Sequence, residues 1–416
     1  MVYELKPPVD GSPGLLCFTH KERAFFREPS PPLAERIRRL KESYVLCMQW
    51  GSYHADVGET PYIDFHLACP GTVDWAPDAD VRHVPLCSRD FTPDYFRPMD
   101  VPTRWDLLAV GHPIKIKRMA ELLDVVRTCF DRGVTLDVLL VCALPNDPAR
   151  LGPEWDHAFF ENYRELFSDA EREHIDLAAF AEVEIGDRPI HPIPNELFPY
   201  IYNAASGFTL FSREEGQSKV IHEALLCGTP VVVHEELKGG GRAYLDDANS
   251  FRFGDLDEAA DAFVELAERP DEHAFDPAPL RSKLTESAMA PELEAAVADV
   301  YGDLGHPYRG ELDTEDIAFK LGGHTLTLRP ELRLENTNDL RSRRAFLVYV
   351  DELLGTETPL DDRLAARRAD LDAEVAELRQ RGPLGVADRL LRAVDARTDL
   401  PVGRWARKAF ASVTER

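Results

Sequence analysis

Two glutamates, Glu215 and Glu223, have the spacing in this 416-residue chain that most directly suggests chemistry. They lie in the stretch 211–234, which reads FSREEGQSKVIHEALLCGTPVVVH. Its pattern predicts a turn over 216–218, a helix over 219–227 that Ser218 caps, and a strand directly after the helix. Glu223 is then predicted on the polar face of the helix, whereas Glu215 is predicted in the loop before the first turn.

The start of this helix has the features of an anion site. N–H groups in the first turn of a helix have no partner within the helix and carry partial positive charge. A diphosphate is therefore predicted between the two glutamates, which would hold sugar hydroxyls on either side. The residues predicted to bind this sugar diphosphate are Glu223 and the residues at the helix start, Gly216, Gln217, Ser218 and Lys219. Lys219 could add affinity for phosphate or extend into solvent, and the stretch could instead be an ordinary amphipathic helix that leads into a buried strand.

A basic loop lies upstream, directly after a strand that the sequence predicts over 105–111. It reads HPIKIKR over 112–118. Ligands of parallel α/β sheets bind at the carboxyl ends of the strands, so this loop lies where a ligand is expected. The alternative is an exposed basic loop that opens a helix.

The elements that must position these residues follow an alternating pattern. Strands and helices alternate over 104–270, which predicts a parallel sheet with helices on both faces, a Rossmann-like domain. The first 100 residues predict a smaller α/β domain, with strands near 13–18, 43–50, 62–68 and 81–87 and a helix over 31–42. A later helix is predicted over 291–301 and a charged helix over 361–380.

The residues around the two glutamates belong to one longer pattern, Glu215-Gly216, Ser218, Glu223-Ala224, Cys227-Gly228-Thr229-Pro230 and a run of valines. This string resembles the E-x7-E signature of the retaining glycosyltransferases of family 4, which have the GT-B fold. The resemblance implies two Rossmann-like domains that face a cleft, over 1–100 and 101–275. A crossover helix and a charged helical extension over 276–416 would follow. The N-terminal domain, which normally carries the acceptor site, is reduced in length.

The same resemblance implies a role for each candidate residue. Glu223 would bind the donor ribose, Glu215 would contact the transferred sugar, and Lys117 matches the lysine that contacts the diphosphate. His112 stands where the family has arginine, and it or Lys115 could share the charge of Lys117. Arg118 stands where glycine is common. The helix start and Lys117 would stabilise the leaving diphosphate without a metal or a cofactor.

The implied activity is transfer of a sugar, with retention of configuration, from a UDP- or GDP-sugar to a glycan or lipid-linked acceptor. Two alternatives stay open: a catalytically silent GT-B scaffold or partner protein, and another GT-B enzyme such as an epimerase or phosphorylase. On the acceptor side, three histidines of the N-terminal region are candidates, His20, His54 and His66. Each could instead be a surface residue or a satisfied core residue.

The composition excludes other classes of protein. A net charge of −26 without a basic stripe argues against nucleic-acid binding. The seven cysteines are widely spaced, which predicts reduced buried thiols and neither a metal site nor a disulfide framework. Only ten of the 48 basic residues are lysine, which favours a halophilic archaeal source or, alternatively, high genomic GC content.

The location of the protein is predicted from its apolar segments and its last residues. No segment predicts a signal peptide or a membrane span, so a cytoplasmic protein is expected. Residues 381–416 carry eight basic and four acidic side chains, the reverse of the overall sign. Apolar residues alternate with arginines there, as in a helix that lies on an anionic membrane. This stretch predicts either peripheral contact with the inner membrane face or docking on the protein's own acidic surface.

Overall fold

The chain forms two main sheets, of five and six strands, with helices between the strands. The computed structural model describes residues 2–322 other than 30, 52, 145–151, 182, 186–187, 191–192, 194 and 316. The predicted helix over 361–380 and the basic stretch 381–416 lie outside the described residues. Within them the predicted α/β class with two Rossmann-like sheets is confirmed.

The first sheet is built from N-terminal residues in the order β1-β2-β3-β5-β7, and β4 pairs with β6 beside it. The strands are β1 Val2–Lys6, β2 Gly14–Thr19, β3 Tyr44–Gln49, β4 His54–Val57, β5 Phe65–Leu67, β6 Val73–Trp75 and β7 His83–Val84. β1 is antiparallel to β2, and the other neighbours in the sheet are parallel. The parallel strands β2, β3, β5 and β7 lie side by side in the order in which they occur in the chain. A doubly wound sheet consists of two such halves, so this sheet corresponds to one half.

The four strands predicted in this region are present, but two of them are shorter than expected. β5 covers 65–67 and β7 only 83–84. Proline follows β7 at position 85 and has no N–H to donate, which limits the strand. The predicted helix is α2, Pro31–Lys41, preceded by the short α1, Arg23–Arg27. The edge strand β1 was not predicted.

The second sheet has six parallel strands in the order β10-β9-β8-β13-β15-β17. Its strands are β8 Trp105–Gly111, β9 Val138–Leu144, β10 Ile175–Ala181, β13 Ala205–Leu210, β15 Val231–His234 and β17 Ser250–Phe253. Two short pairs accompany it, β11 Val183–Ile185 with β12 Arg188–Ile190 and β14 Glu214–Gln217 with β16 Lys238–Gly240. Numbered within the sheet, this is the 3-2-1-4-5-6 order of a Rossmann fold, which binds ligands where the order reverses. The reversal lies between β8 and β13.

Nine helices of the described residues follow β8. They are α3 Met119–Asp131, α4 His157–Glu165, α5 Asp169–Arg172, α6 Phe198–Asn203, α7 Lys219–Leu226, α8 Leu256–Glu268, α9 Ala278–Leu284, α10 Glu286–Asp303 and α11 Ile317–Gly322. Helix α10 begins five residues before the predicted start at 291. Pro291 instead lies inside the helix.

Helix α10 packs against the N-terminal sheet, although it follows the second sheet in the chain. Leu293, Val297 and Tyr301 share one apolar cluster with residues of β1, β2 and β3. The hydroxyl of Tyr301 donates to the carbonyl of Gly14 at 2.8 Å. The helix therefore returns the chain to the first sheet. In the described part of the chain, no helix combines the length and apolar character needed to cross a bilayer.

Candidate functional site

Lys117 and Glu215 meet at the point where the strand order reverses. Lys117 ends a single 3-10 turn, Lys115–Lys117, in the loop after β8, and Glu215 lies in β14, which follows β13. Nζ of Lys117 donates to Oε1 of Glu215 at 2.5 Å across 98 residues of sequence. The two side chains are 21% and 13% exposed, so the pair is partly shielded from water and still reachable by a ligand.

The segment that carries Glu215 was predicted as a loop and is a short strand. β14 pairs in parallel with β16, which contains Gly239 and Gly240. Gly239 has φ of 101°, and a Cβ atom there would lie 1.9 Å from the carbonyl oxygen of Glu215. Only glycine permits this approach. Backbone pairing at Gly239 thus fixes the position of Glu215.

Glu223 lies on a buried face of α7, so its predicted position on a polar face was wrong. It is 4% exposed because α6 packs beside α7 and supplies Tyr202. The Tyr202 hydroxyl donates to Oε2 of Glu223 at 2.9 Å, and Nζ of Lys219 lies 3.0 Å from Oε1. Burial and the neighbouring carboxylate raise the pKa of Tyr202 well above its usual value, so the phenol keeps its proton and remains a donor. No local sequence signal pointed to Tyr202.

The first residues of α7 have the backbone arrangement of a helix start, but the predicted cap is incomplete. Ser218 occupies the N-cap position with φ −78° and ψ 96°, yet its hydroxyl makes no capping hydrogen bond. It is 2% exposed, and its Oγ has no hydrogen-bond partner among the described residues; Oγ of Ser212, fully buried, is in the same state. A buried hydroxyl without a partner is costly. Gly216 and Gln217 belong to β14.

The Lys219 amine lies against protein groups and does not extend into solvent. Besides Glu223 it reaches Oδ1 of Asn195 at 3.5 Å, and Asn195 in turn donates to the Tyr95 hydroxyl at 2.7 Å. Burial raises the pKa of Tyr95 to about 12. The charged amine thus lies at the opening of α7, within reach of both a carboxylate and a ligand at the helix start.

The other residues of interest in the basic loop are His112, Lys115 and Arg118. Nδ1 of His112 lies 3.0 Å from the carbonyl oxygen of Ala143 in β9, and the ring contacts Trp155 edge-on. Because a carbonyl only accepts, Nδ1 carries a proton. Arg118 has φ 51° and ψ 37°, the left-handed region that favours glycine. Lys115 is exposed and lies at the start of the same turn.

A charged cavity of about 760 Å³ opens beside Glu215 and was missed by sequence reasoning. Four cations and three carboxylates line it: Arg213, Glu214, Glu235, Glu236, Lys238, Arg242 and Arg252. Arg213 and Glu214, which line this cavity, immediately precede Glu215 in the chain.

The three acceptor-side histidines, chosen singly from the sequence, lie in one aromatic cluster around Trp50. His20 and His54 lie 6.0 and 5.2 Å from the Trp50 ring, and His66 lies 5.9 Å from it. Trp75, partly exposed, lies 5.6 Å from Trp50 and 5.0 Å from His66. His20 and Trp50 directly follow the parallel strands β2 and β3, so the cluster forms at the carboxyl edge of the first sheet. That edge is where ligands of such sheets bind.

All three histidines accept a hydrogen bond at Nδ1. The donors are the Gly51 N–H to His20 at 3.4 Å, the Arg23 guanidinium to His54 at 3.3 Å and the Trp50 indole to His66 at 2.9 Å. A ring that accepts at Nδ1 is neutral and carries its proton on Nε2. Burial lowers the pKa of His66 to about 3, and burial with Arg23 lowers the pKa of His54. His54 and His66 are therefore neutral at physiological pH.

His54 contributes an unused donor to this cluster. Its Nε2 is buried and has no hydrogen-bond partner among the described residues. The preceding Tyr53 donates to Asp74 at 2.7 Å, and Nζ of Lys238 lies 6.0 Å from the Tyr53 ring centre. A Cβ atom on Gly71 would lie 3.8 Å from the Gly239 carbonyl oxygen. The cluster thus adjoins the β14–β16 pair that holds Glu215.

Comparison with solved structures gives likenesses of fold at low identity. TarM of S. aureus aligns at 12% identity and a TM-score of 0.44, over 60% of this chain and 50% of that one. The pneumococcal O-GlcNAc transferase GtfA, in complex with UDP and GlcNAc, aligns at 13% and 0.47, over 64% and 55%. Anabaena HepE in complex with UDP aligns at 12% and 0.48, over 68% and 78%.

The chain spans about half of the length of TarM and GtfA. No family model and no curated protein sequence matches it. What is confirmed of the prediction is the α/β class with two Rossmann-like sheets. The reaction, the sugar donor and the acceptor must therefore be inferred from the residues of the site.

Proposed function

We propose that the protein is a retaining glycosyltransferase that moves a sugar from a UDP- or GDP-sugar to a glycan or lipid-linked acceptor. The observation that carries this proposal is the Lys117–Glu215 contact at the reversal point of the second sheet, beside the start of α7. A cation, a carboxylate and unpaired helix N–H groups at one such point form a site for a sugar diphosphate.

In the proposed complex the diphosphate lies at the first turn of α7. The Lys219 N–H and the Ser218 hydroxyl donate to its oxygens, whereas the Ser218 N–H already donates to the Gly240 carbonyl at 3.3 Å. Lys117 turns from Glu215 to the phosphate, which frees Glu215 for hydroxyls of the transferred sugar. Negative charge grows on the leaving diphosphate as the glycosidic bond breaks, and these fixed donors stabilise it in the transition state. The leaving phosphate accepts the proton of the attacking hydroxyl, so no side-chain nucleophile, metal or cofactor takes part.

Glu223 binds the donor ribose in this proposal. Tyr202 fixes one carboxylate oxygen and so orients the other toward the helix start, where Lys219 now holds it. The ribose hydroxyls take the place of the Lys219 amine, which moves to the diphosphate. Positioning by a buried partner keeps the carboxylate in one geometry before the ligand arrives.

The acceptor binds at the aromatic cluster of the first sheet. Trp75 and Tyr53 are partly exposed flat rings that suit the apolar faces of a sugar, and the unused Nε2–H of His54 donates to an acceptor hydroxyl. Neutral histidines favour an uncharged, hydroxyl-rich group at this place.

We further propose that the protein acts in a high-salt cytoplasm, with 381–416 as its contact to a membrane face.

The first experiment measures nucleotide binding by the full chain. UDP, GDP and ADP are added separately and the shift in thermal midpoint is recorded, with isothermal titration for any nucleotide that shifts it. Lys117→Met and Glu223→Gln are expected to weaken binding at least tenfold, whereas Glu161→Gln, on the exposed side of α4, leaves it unchanged. A chain that binds no nucleotide at all refutes the transferase proposal.

The second experiment separates transfer from binding. With the UDP- or GDP-sugar that binds, Trp75→Ala is expected to raise the acceptor KM and leave the donor Kd unchanged. A donor that binds tightly but is neither transferred nor hydrolysed points to the scaffold alternative. That alternative has one observation in its favour, since Lys117 and Lys219 already neutralise both glutamates in the protein without ligand.

A further inference from the structure

Three potential metal ligands converge where the N-terminal sheet ends. Cys69 follows β5, Cys87 directly precedes the 3-10 turn Ser88–Asp90 that follows β7, and Asp90 is the last residue of that turn. Their two sulfur atoms and one carboxylate oxygen all lie within 4.8 Å of one another. Among the residues that the structure describes, no other group of three such side chains comes together in this way.

The convergence follows from the topology and is invisible in the spacing of the cysteines. β5 and β7 are parallel neighbours, so the segments that leave them start from the same edge of the sheet. The spacing Cys87-x-x-Asp90 then brings a thiol and a carboxylate to one side of a tight turn. Cys69 is supplied from the neighbouring strand.

The three side chains lie in the interior. Cys69 is 4% exposed, and Cys87 and Asp90 are 0% exposed. In the protein without a metal, the Cys69 thiol donates to Oδ2 of Asp90 at 2.7 Å, and the Cys87 N–H donates to the same oxygen at 2.8 Å. Two thiols and a carboxylate that lie buried together form a set of anionic ligands once the thiols lose their protons to a metal.

We propose that Cys69, Cys87 and Asp90 bind a borderline-soft divalent transition-metal ion, of which zinc fits the ligand set best. Zinc takes thiolate sulfur at about 2.3 Å and carboxylate oxygen at about 2.1 Å, so its tetrahedral ligands lie roughly 3.5–3.8 Å apart. Small side-chain rotations bring the observed group to these distances. The ion displaces one proton from each thiol to solvent, and a water molecule completes the coordination. No oxidant or reductant is needed.

Tyr244 connects this centre to the donor side. Its hydroxyl donates to Oδ1 of Asp90 at 3.0 Å, which orients the carboxylate as second partners of metal ligands commonly do. Tyr244 closes the turn Arg242–Tyr244 directly after β16, and its ring lies 5.0 Å from that of His222 in α7. A bound ion would therefore brace the contact between the first sheet and the helix that carries Glu223.

Cobalt titration of the full chain, purified under reducing conditions, tests the site without reference to any transferase activity. The wild-type chain is expected to bind one Co²⁺ with a thiolate-to-cobalt absorption in the near ultraviolet, and Zn²⁺ is expected to displace it. This measurement needs only the wild-type chain, so it does not depend on whether a variant folds. A reduced chain that shows no thiolate band with Co²⁺ overturns the proposal.

Variants locate the ion. Cys69→Ser and Cys87→Ser are expected to lose the thiolate band, and Asp90→Asn to bind Co²⁺ at least tenfold more weakly. Cys17→Ser is the matched control, because Cys17 and Cys47 are also buried, with their sulfur atoms 3.7 Å apart, and must leave the band intact. Circular dichroism confirms that each variant is folded. A band that survives in both Cys69→Ser and Cys87→Ser, or that Cys17→Ser removes, refutes this site.

Discussion

Nζ of Lys219 lies 3.0 Å from Oε1 of Glu223, one turn further along α7, while Tyr202 holds the other carboxylate oxygen at 2.9 Å. Both oxygens of Glu223 are therefore engaged before any ligand is present. In the proposed complex the donor ribose replaces the Lys219 amine at Oε1. The proposal therefore couples nucleoside binding to a movement of the lysine at the helix start.

Replacing Lys219 by methionine is expected to affect two ligands in opposite ways. UDP should bind at least tenfold more weakly, because the diphosphate loses a cation. Uridine should bind as well as before or better, since Oε1 of Glu223 no longer has a competing partner. Isothermal titration of both ligands measures the difference. Lys283→Met, an exposed substitution on α9, serves as the control, and an equal loss for UDP and uridine would show that the lysine acts only through Glu223.

Replacing Tyr202 by phenylalanine is expected to destabilise the protein by about 1–3 kcal/mol, because a buried carboxylate oxygen loses its donor. Urea denaturation followed by fluorescence measures the free energy of unfolding. Tyr163→Phe is the comparison, since that hydroxyl lies 3.5 Å from the Ile175 carbonyl and makes a marginal bond. Equal losses for the two variants would contradict the role given to Tyr202.

Replacing Gly239 by alanine is expected to cost about 3 kcal/mol or more and to abolish nucleotide binding. The new Cβ would lie 1.9 Å from the Glu215 carbonyl oxygen, so β14 must separate from β16. Gly133→Ala isolates the backbone effect, because Gly133 has φ 81° and open space at its Cβ position. That variant should lose only about 1 kcal/mol. If both alanines cost the same, the close approach of the two strands has no energetic role.

Acid is expected to destabilise the protein through His66. Burial lowers the pKa of His66 to about 3 in the folded state, against 6.5 for a free side chain. Between these values the unfolded chain binds the additional proton, so the contribution is intact above pH 6.5 and is lost as pH falls toward 3. The loss is at most about 1.4 kcal/mol per pH unit.

Urea denaturation at pH 6.5 and pH 5 checks this expectation. His66→Gln keeps an acceptor for the Trp50 indole but does not titrate, so its unfolding free energy should fall by about 2 kcal/mol less than that of the wild type over this interval. His157→Gln, at an exposed position, should behave as the wild type does. A variant with the full wild-type pH dependence would exclude His66 as the titrating group.

The elements of the fold could be predicted from local patterns. The apolar run in β9 and the valines of β15 identify buried central strands, and the helical spacing of apolar residues in α7 identifies a helix next to them. Short-range regularities of this kind depend only on neighbouring residues. Local patterns failed to predict the strand β14. This strand forms only because it pairs with β16, whose residues lie more than twenty positions away in the chain.

The candidate site was predictable in its residue types and only in part in its geometry. The sequence by itself predicted one site for Glu215, Glu223 and Lys117, from the resemblance of their surroundings to glycosyltransferase family 4. The tertiary structure decided that Glu223 is buried against Tyr202, that His20, His54 and His66 share one cluster, and that Cys69 joins Cys87 and Asp90. Such contacts join segments far apart in the chain, and only the order and direction of the strands bring them together.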